Sequence, residues 1–139
     1  MENGSRKGTL ANGRLFVYGA LRKGFRAHRL MQGFRARLLA TGWVNGRLYD
    51  LGKYPGALES TRDADKVHGE IYLLPRAADA FRVLDSLEGF DPANSGGNLF
   101  ERKETTVMLA GGRETRAWIY WLPRVRACGR RIASGNYEA

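Results

Sequence analysis

Val67-His68-Gly69-Glu70-Ile71-Tyr72-Leu73-Leu74-Pro75-Arg76-Ala77-Ala78-Asp79-Ala80-Phe81-Arg82-Val83-Leu84-Asp85-Ser86-Leu87-Glu88-Gly89 carries two hydrophobic periods in succession. From Val67 to Leu73 apolar and polar residues alternate, as they do along a half-buried strand. Beyond Pro75 the spacing changes: Ala77, Ala80, Phe81, Leu84 and Leu87 recur every three or four residues, the pattern of an amphipathic helix. Pro75 suits the first turn of that helix and Gly89 its C-terminal cap. The centre of the chain therefore reads as a strand feeding the one principal helix.

Upstream, Leu15-Phe16-Val17-Tyr18 is a short apolar and aromatic run closed by Gly19, which predicts a buried strand. Ala27 to Gln32 suits a short helix. Phe34 to Asp50, broken at Gly42 and Asn45-Gly46, predicts one long bent strand or a hairpin, and Tyr54-Pro55-Gly56 predicts a turn. Downstream, Asp91 to Asn98 reads as a polar loop. Arg102 to Leu109 and Thr115 to Trp121 then read as strands flanking Ala110-Gly111-Gly112-Arg113, a hairpin signal. One main helix among several strands, without regular strand–helix alternation, predicts an α+β fold: a small, mixed, mainly antiparallel sheet or β-barrel with the helix packed on it. A doubly wound nucleotide-binding fold is disfavoured. Residues 1–13 are rich in Gly and Asn and almost free of apolar side chains, so they read as a flexible leader, with 14–139 as a single domain.

At 139 residues, 43% hydrophobic and 27% charged, the chain is long enough for one core and too balanced in composition for wholesale disorder. Its longest apolar runs, such as Ala117-Trp118-Ile119-Tyr120-Trp121-Leu122, fall far short of the ~20 residues a spanning helix needs. The polar N-terminus does not read as a signal peptide, so a cytoplasmic protein without membrane association is expected. A net charge of +9 raises the question of a polyanion partner. The arginines are dispersed along the chain and no nucleic-acid-binding module is present, so no nucleic-acid partner is expected and the basic surface suits attraction of a small anionic substrate. Cys128 is the sole cysteine, and His28 and His68 have no carboxylate or thiol at ligand spacing, so neither a metal nor a disulfide is expected. No Gly-x-Ser-x-Gly elbow is present, and Cys128 has no recognisable histidine partner.

Two segments remain with chemical potential. If the first strand ends at Tyr18, the amides of Gly19, Ala20 and Leu21 are free to point out of the turn and bind an oxyanion or a carboxylate; the alternative is an ordinary strand-exit glycine. Glu88 ends the helix, where the negative end of the macrodipole and the neighbouring Leu84 and Leu87 raise its pKa towards the range useful for general acid–base catalysis. The alternative is a solvated helix-end glutamate. Asp85, one turn earlier, reads as a surface or capping residue.

In order along the chain, Phe16-Val17-Tyr18-Gly19-Ala20-Leu21-Arg22-Lys23-Gly24, His28 with Leu30, Gly69-Glu70-Ile71-Tyr72, Leu84-Asp85-Ser86-Leu87-Glu88-Gly89, Phe100-Glu101-Arg102, Ala117-Trp118-Ile119-Tyr120 and Ile132-Ala133-Ser134-Gly135-Asn136-Tyr137 resemble the γ-glutamylcyclotransferase-like family over about residues 14–137. The resemblance implies a small mixed barrel in which the Tyr18–Leu21 loop and Glu88 face one cavity. It implies an amine-releasing, intramolecular acyl transfer: the α-amine of a γ-glutamyl amine or peptide-like amide attacks its own side-chain carbonyl and yields 5-oxoproline. Glu88 would be the catalytic acid and base, and Tyr18, Gly19, Ala20 and Leu21 would bind substrate, with no cofactor. A non-catalytic small-molecule binding module using the same pocket is the alternative. Ala20 departs from the family, which usually has Ser or Thr there, and only the backbone amide remains. Arg102 either orients an acidic substrate or forms a buried ion pair, and Tyr120 either presents its hydroxyl to the cavity or belongs to the core.

Overall fold

The computed structural model describes residues 12–25, 27–93, 97–123 and 129–138. Its elements in chain order are β1 (Arg14–Val17), α1 (His28–Gly33), β2 (Arg37–Asp50), β3 (Pro55–Glu59), β4 (Lys66–Leu73), α2 (Ala77–Leu87), β5 (Glu101–Leu109), β6 (Glu114–Trp121) and β7 (Arg130–Arg131). Strands run in the order β2-β4-β1-β6-β5, and β5 pairs back onto β2 to close a five-stranded mixed barrel. Only β1–β6 is parallel among these pairings; the others are antiparallel. The predicted α+β barrel with a helix packed against it is the observed architecture, with α1 as a second, short helix.

β2 is the long bent strand. A register shift between Leu38 and Ala40 bends it, its middle pairs with β4 and β5, and its far end pairs with β3 and β7. Gly42 of β2 and Gly69 of β4 are direct cross-strand partners. A Cβ on Gly42 would collide with the Met108 carbonyl of β5, and one on Gly69 with the Val17 carbonyl of β1. Glycine is required at both because neighbouring backbones lie where a side chain would stand.

β1 is apolar from Leu15 to Val17 because both of its faces are buried there. Leu15 and Val17 join Phe81, Leu84, Trp118 and Met31 between the barrel and the helices, whereas Phe16 joins Ile71, Val107 and Ile119 in the barrel interior. α2 buries Ala80, Phe81 and Leu84 and closes with a Schellman motif: Phe90 N–H donates to the Asp85 carbonyl at 2.8 Å, Gly89 N–H to that of Ser86 at 3.3 Å, and Gly89 takes a φ of 68°.

One expectation is corrected in part. The turn lies at Leu51–Tyr54, where Leu51 N–H donates to the Tyr54 carbonyl at 2.9 Å, and Pro55-Gly56 instead opens β3. As the first residue of an edge strand, Pro55 loses no ladder bond. Asn12 is tied into the fold. The Asn12 side chain donates to Glu104 at 2.7 Å and accepts from Arg14 N–H at 3.0 Å, and its carbonyl accepts from Trp118 Nε1 at 2.9 Å. The rest of the predicted leader, residues 1–11, and Cys128 lie outside the described residues.

Gly69→Ala is expected to lower stability by about 2 kcal/mol or more, the scale of a forced backbone displacement. Gly33→Ala, at a position with nothing within 4 Å of the added Cβ, is expected to stay within about 1 kcal/mol of the parent. Urea unfolding midpoints of the two variants test the difference.

Candidate active site

Beyond Val17 the chain leaves β1 and turns sharply: Arg22 N–H donates to the Gly19 carbonyl at 3.1 Å, closing a four-residue turn over Gly19–Arg22. A Cβ on Gly19 would stand 2.9 Å from Pro55, so the turn packs directly on the start of β3. Among the described residues the amides of Gly19, Ala20 and Leu21 donate to no protein acceptor. The carbonyls on either side are held. Arg22 Nε donates to the Gly19 carbonyl at 3.2 Å, and Nδ1 of His28 donates to that of Leu21 at 2.8 Å, which fixes the imidazole tautomer. Arg22 also donates to the Tyr137 carbonyl, lies 4.6 Å from the Phe25 ring, and has its pKa lowered by burial. These contacts hold the turn between α1 and the C-terminal segment.

The turn forms one wall of a cavity of about 320 Å³. Opposite it stands the end of α2, with Leu84, Leu87 and Glu88, and the ring of Tyr120 contributes from β6. Glu88 is half-buried, and burial raises its pKa to about 7. Among the described residues its carboxylate forms no hydrogen bond and no ion pair, so nothing offsets the lost hydration.

Tyr18, Gly19, Ala20, Leu21, Glu88 and Tyr120 all line this cavity; Arg102 does not. The Tyr18 hydroxyl is engaged inside the fold, donating to the Tyr120 carbonyl at 2.7 Å and accepting from Ala57 N–H at 3.1 Å, and burial pushes its pKa up. Tyr120 donates its hydroxyl to Asp85 Oδ1 at 2.6 Å, and its pKa too is raised, by burial first and then by that bond. Arg102 donates Nε and Nη2 to the two oxygens of Asp85, at 2.8 and 3.0 Å, and its guanidinium lies 4.5 and 4.7 Å from the rings of Phe81 and Trp118. Of the two readings of Arg102, the ion pair is the one observed.

Asp85 is the residue that sequence reasoning missed. It is no surface cap: its side chain is 17% exposed and receives both Arg102 and Tyr120. Arg102 and Tyr120 are direct cross-strand partners on β5 and β6, so they project to the same side and converge on one acceptor on α2. The signal lay in the three-residue spacing of Asp85 and Glu88, which puts both carboxylates near one face of the helix.

Comparison with known proteins follows the same lines. The family model described as gamma-glutamyl cyclotransferase, AIG2-like, matches residues 15–139. The gamma-L-glutamyl-butirosin B gamma-glutamyl cyclotransferase of Niallia circulans is 34% identical over 116 residues, spanning 82% of this chain and 69% of its own. Among solved structures, an AIG2-like protein from Mus musculus superposes with a TM-score of 0.65 at 20% identity, covering 84% of this chain and 80% of that one. A uropathogenic Escherichia coli-specific protein superposes with a TM-score of 0.64 at 21% identity, covering 90% and 91%. The match over residues 15–139 and the 34% identity show that the chain belongs to the AIG2-like gamma-glutamyl cyclotransferase family.

Proposed function

We propose that the protein converts a γ-glutamyl amine, or a related peptide-like amide, into 5-oxoproline and a free amine, with Glu88 as the proton carrier. The observation that carries this reading is the pairing, across one cavity, of an unneutralised carboxylate with three backbone amides that have no protein acceptor among the described residues. Glu88 takes a proton from the substrate's α-ammonium. The freed nitrogen attacks the γ-carbonyl carbon, and the carbonyl oxygen becomes an oxyanion as the ring closes. When the intermediate collapses, the bond to the leaving nitrogen breaks as Glu88 returns its proton there; the ring nitrogen then gives up its second proton through Glu88 to the departing amine, which leaves as an ammonium. No water is consumed and no proton is left over.

Each part of the site suits one demand of this sequence. The walls hold the glutamyl chain folded, and well-oriented intramolecular attack reaches effective molarities of ~10⁵ M or more. The amides of Gly19, Ala20 and Leu21 take the negative oxygens of the substrate, whether its α-carboxylate or the oxyanion of the closing ring. With Ala20 in place of a hydroxyl residue, backbone amides alone serve there. A pKa near 7 lets Glu88 accept and release a proton with little cost in either direction. Asp85, neutralised by Arg102, fixes the helix end that presents Glu88.

Glu88→Gln is expected to lower 5-oxoproline release by about 10²-fold or more, measured by mass spectrometry over a panel of γ-glutamyl amines. Ligand-induced thermal stabilisation without turnover by the parent protein would mark the cavity as a binding module instead.

Because the base form of Glu88 starts the reaction, kcat/KM should climb about tenfold per pH unit below 7 and level off above it. A profile that stays flat from pH 5 to 8 would remove Glu88 from the role.

The same shift has a consequence for stability. Glu88 ionises at higher pH in the folded chain than in the unfolded one, so its ionisation weakens the fold as pH rises from the ordinary carboxylate range through about 7. Glu88→Gln should therefore melt higher than the parent at pH 8, with the difference shrinking towards pH 4.

A further inference from the structure

We propose that the amine released is an apolar one, carrying an alkyl or arylalkyl group and no second charge; this rests on the cyclotransferase reading above. The glutamyl half of the substrate is polar, and the turn amides and Glu88 are the groups that suit it. The remaining walls, which must receive the other half, are mostly apolar and include Leu30, Leu87, Leu99, Phe100, Tyr54 and Pro55. Three of these are large apolar side chains left in contact with solvent: Leu87 is 63% exposed, Leu99 46% and Tyr54 42%. Leu87 is the clearest case. It falls on the apolar repeat of α2, yet the helix buries Ala80, Phe81 and Leu84 and leaves Leu87 at the cavity. Leu99 is tied to the same rim, since its N–H donates to the Gly89 carbonyl at 3.1 Å directly after Glu88.

A cationic leaving group has no counter-ion in this wall. Among the described residues lining the cavity, Glu88 is the only carboxylate, and the reaction engages it with the α-ammonium. A second ammonium would shed water against leucine and phenylalanine with no partner, which is costly. The chain's net charge of +9 adds long-range repulsion to such a substrate, whose net charge is positive, and none to the neutral zwitterion of an alkylamide. An alkyl chain meets none of these penalties and covers the exposed leucines as it binds.

The experiment compares γ-glutamyl methylamide, propylamide and pentylamide with γ-glutamyl 5-aminopentylamide, which matches the pentylamide except for its terminal ammonium. The expected result is a kcat/KM that rises about fourfold per methylene from methyl to pentyl. Adding the ammonium should lower it by about tenfold or more. Leu99→Asp and Leu87→Asp, both at exposed positions that tolerate a carboxylate, should each shrink the pentyl-to-aminopentyl ratio towards one. Turnover of every amide with a flat series, or a preference for the 5-aminopentylamide, would overturn this inference alone. Silence on all four amides would overturn the cyclotransferase reading and this one with it.

Discussion

Backbone contact at the Gly42–Gly69 pair is the constraint on which the rest of the molecule depends. Two strands face each other there without side chains, and each admits a third strand against its bare backbone: β5 beside Gly42 and β1 beside Gly69. Those approaches draw the sheet into a closed barrel with a solid interior of Phe16, Ile71, Val107 and Ile119. The carbonyl seated on Gly69 belongs to Val17, the last residue of β1. The turn bearing the amides starts two residues later, at Gly19, so its origin is set by the same contact that closes the sheet.

The opposite wall of the cavity is set by electrostatics rather than by close packing. Asp85 and Glu88 stand three residues apart at the end of one helix and meet opposite environments. Asp85 receives a bidentate arginine and a tyrosine hydroxyl, whereas Glu88 faces an apolar cavity. Two carboxylates with environments this different divide the labour: one anchors the helix end, and the other is left free to change its protonation state. The anchor is itself well supported, because Arg102 lies against aromatic rings as well as against the carboxylate.

Much of this was legible in the sequence because periodicity reports burial directly. The switch from alternate to three-and-four spacing located β4 and α2, and Gly111-Gly112 located the β5–β6 hairpin. Glu88 could be singled out because it ended an apolar helix face. Features that depend on partners distant in sequence were not legible. Asn12 reads as leader by composition, yet its polar groups are matched by Glu104 and Trp118 from the far half of the chain. Pro55 reads as a turn residue because edge position is a property of the sheet, not of the local sequence. Asp85 reads as a cap because the two residues that converge on it lie on a hairpin further along the chain, and the spacing to Glu88 gives its face but not its partners. Leu87 matches the helical repeat, but the repeat says which face a residue occupies, not what lies opposite.

The one parallel pairing among the described strands, β1 with β6, governs the order in which the molecule assembles. The β2–β4 and β5–β6 ladders join segments relatively near in sequence, whereas the Tyr18 hydroxyl finds its Tyr120 partner across 102 residues of chain. Loops of that size close late and slowly, after the local hairpins have reduced the entropy still to be lost. During synthesis on a ribosome, β1 can pair with β4 once Leu73 has emerged, but its other edge must wait for β6. Until β6 arrives, that edge and the apolar side chains beside it are open to wrong partners, and this is the interval in which a nascent chain gains most from a chaperone.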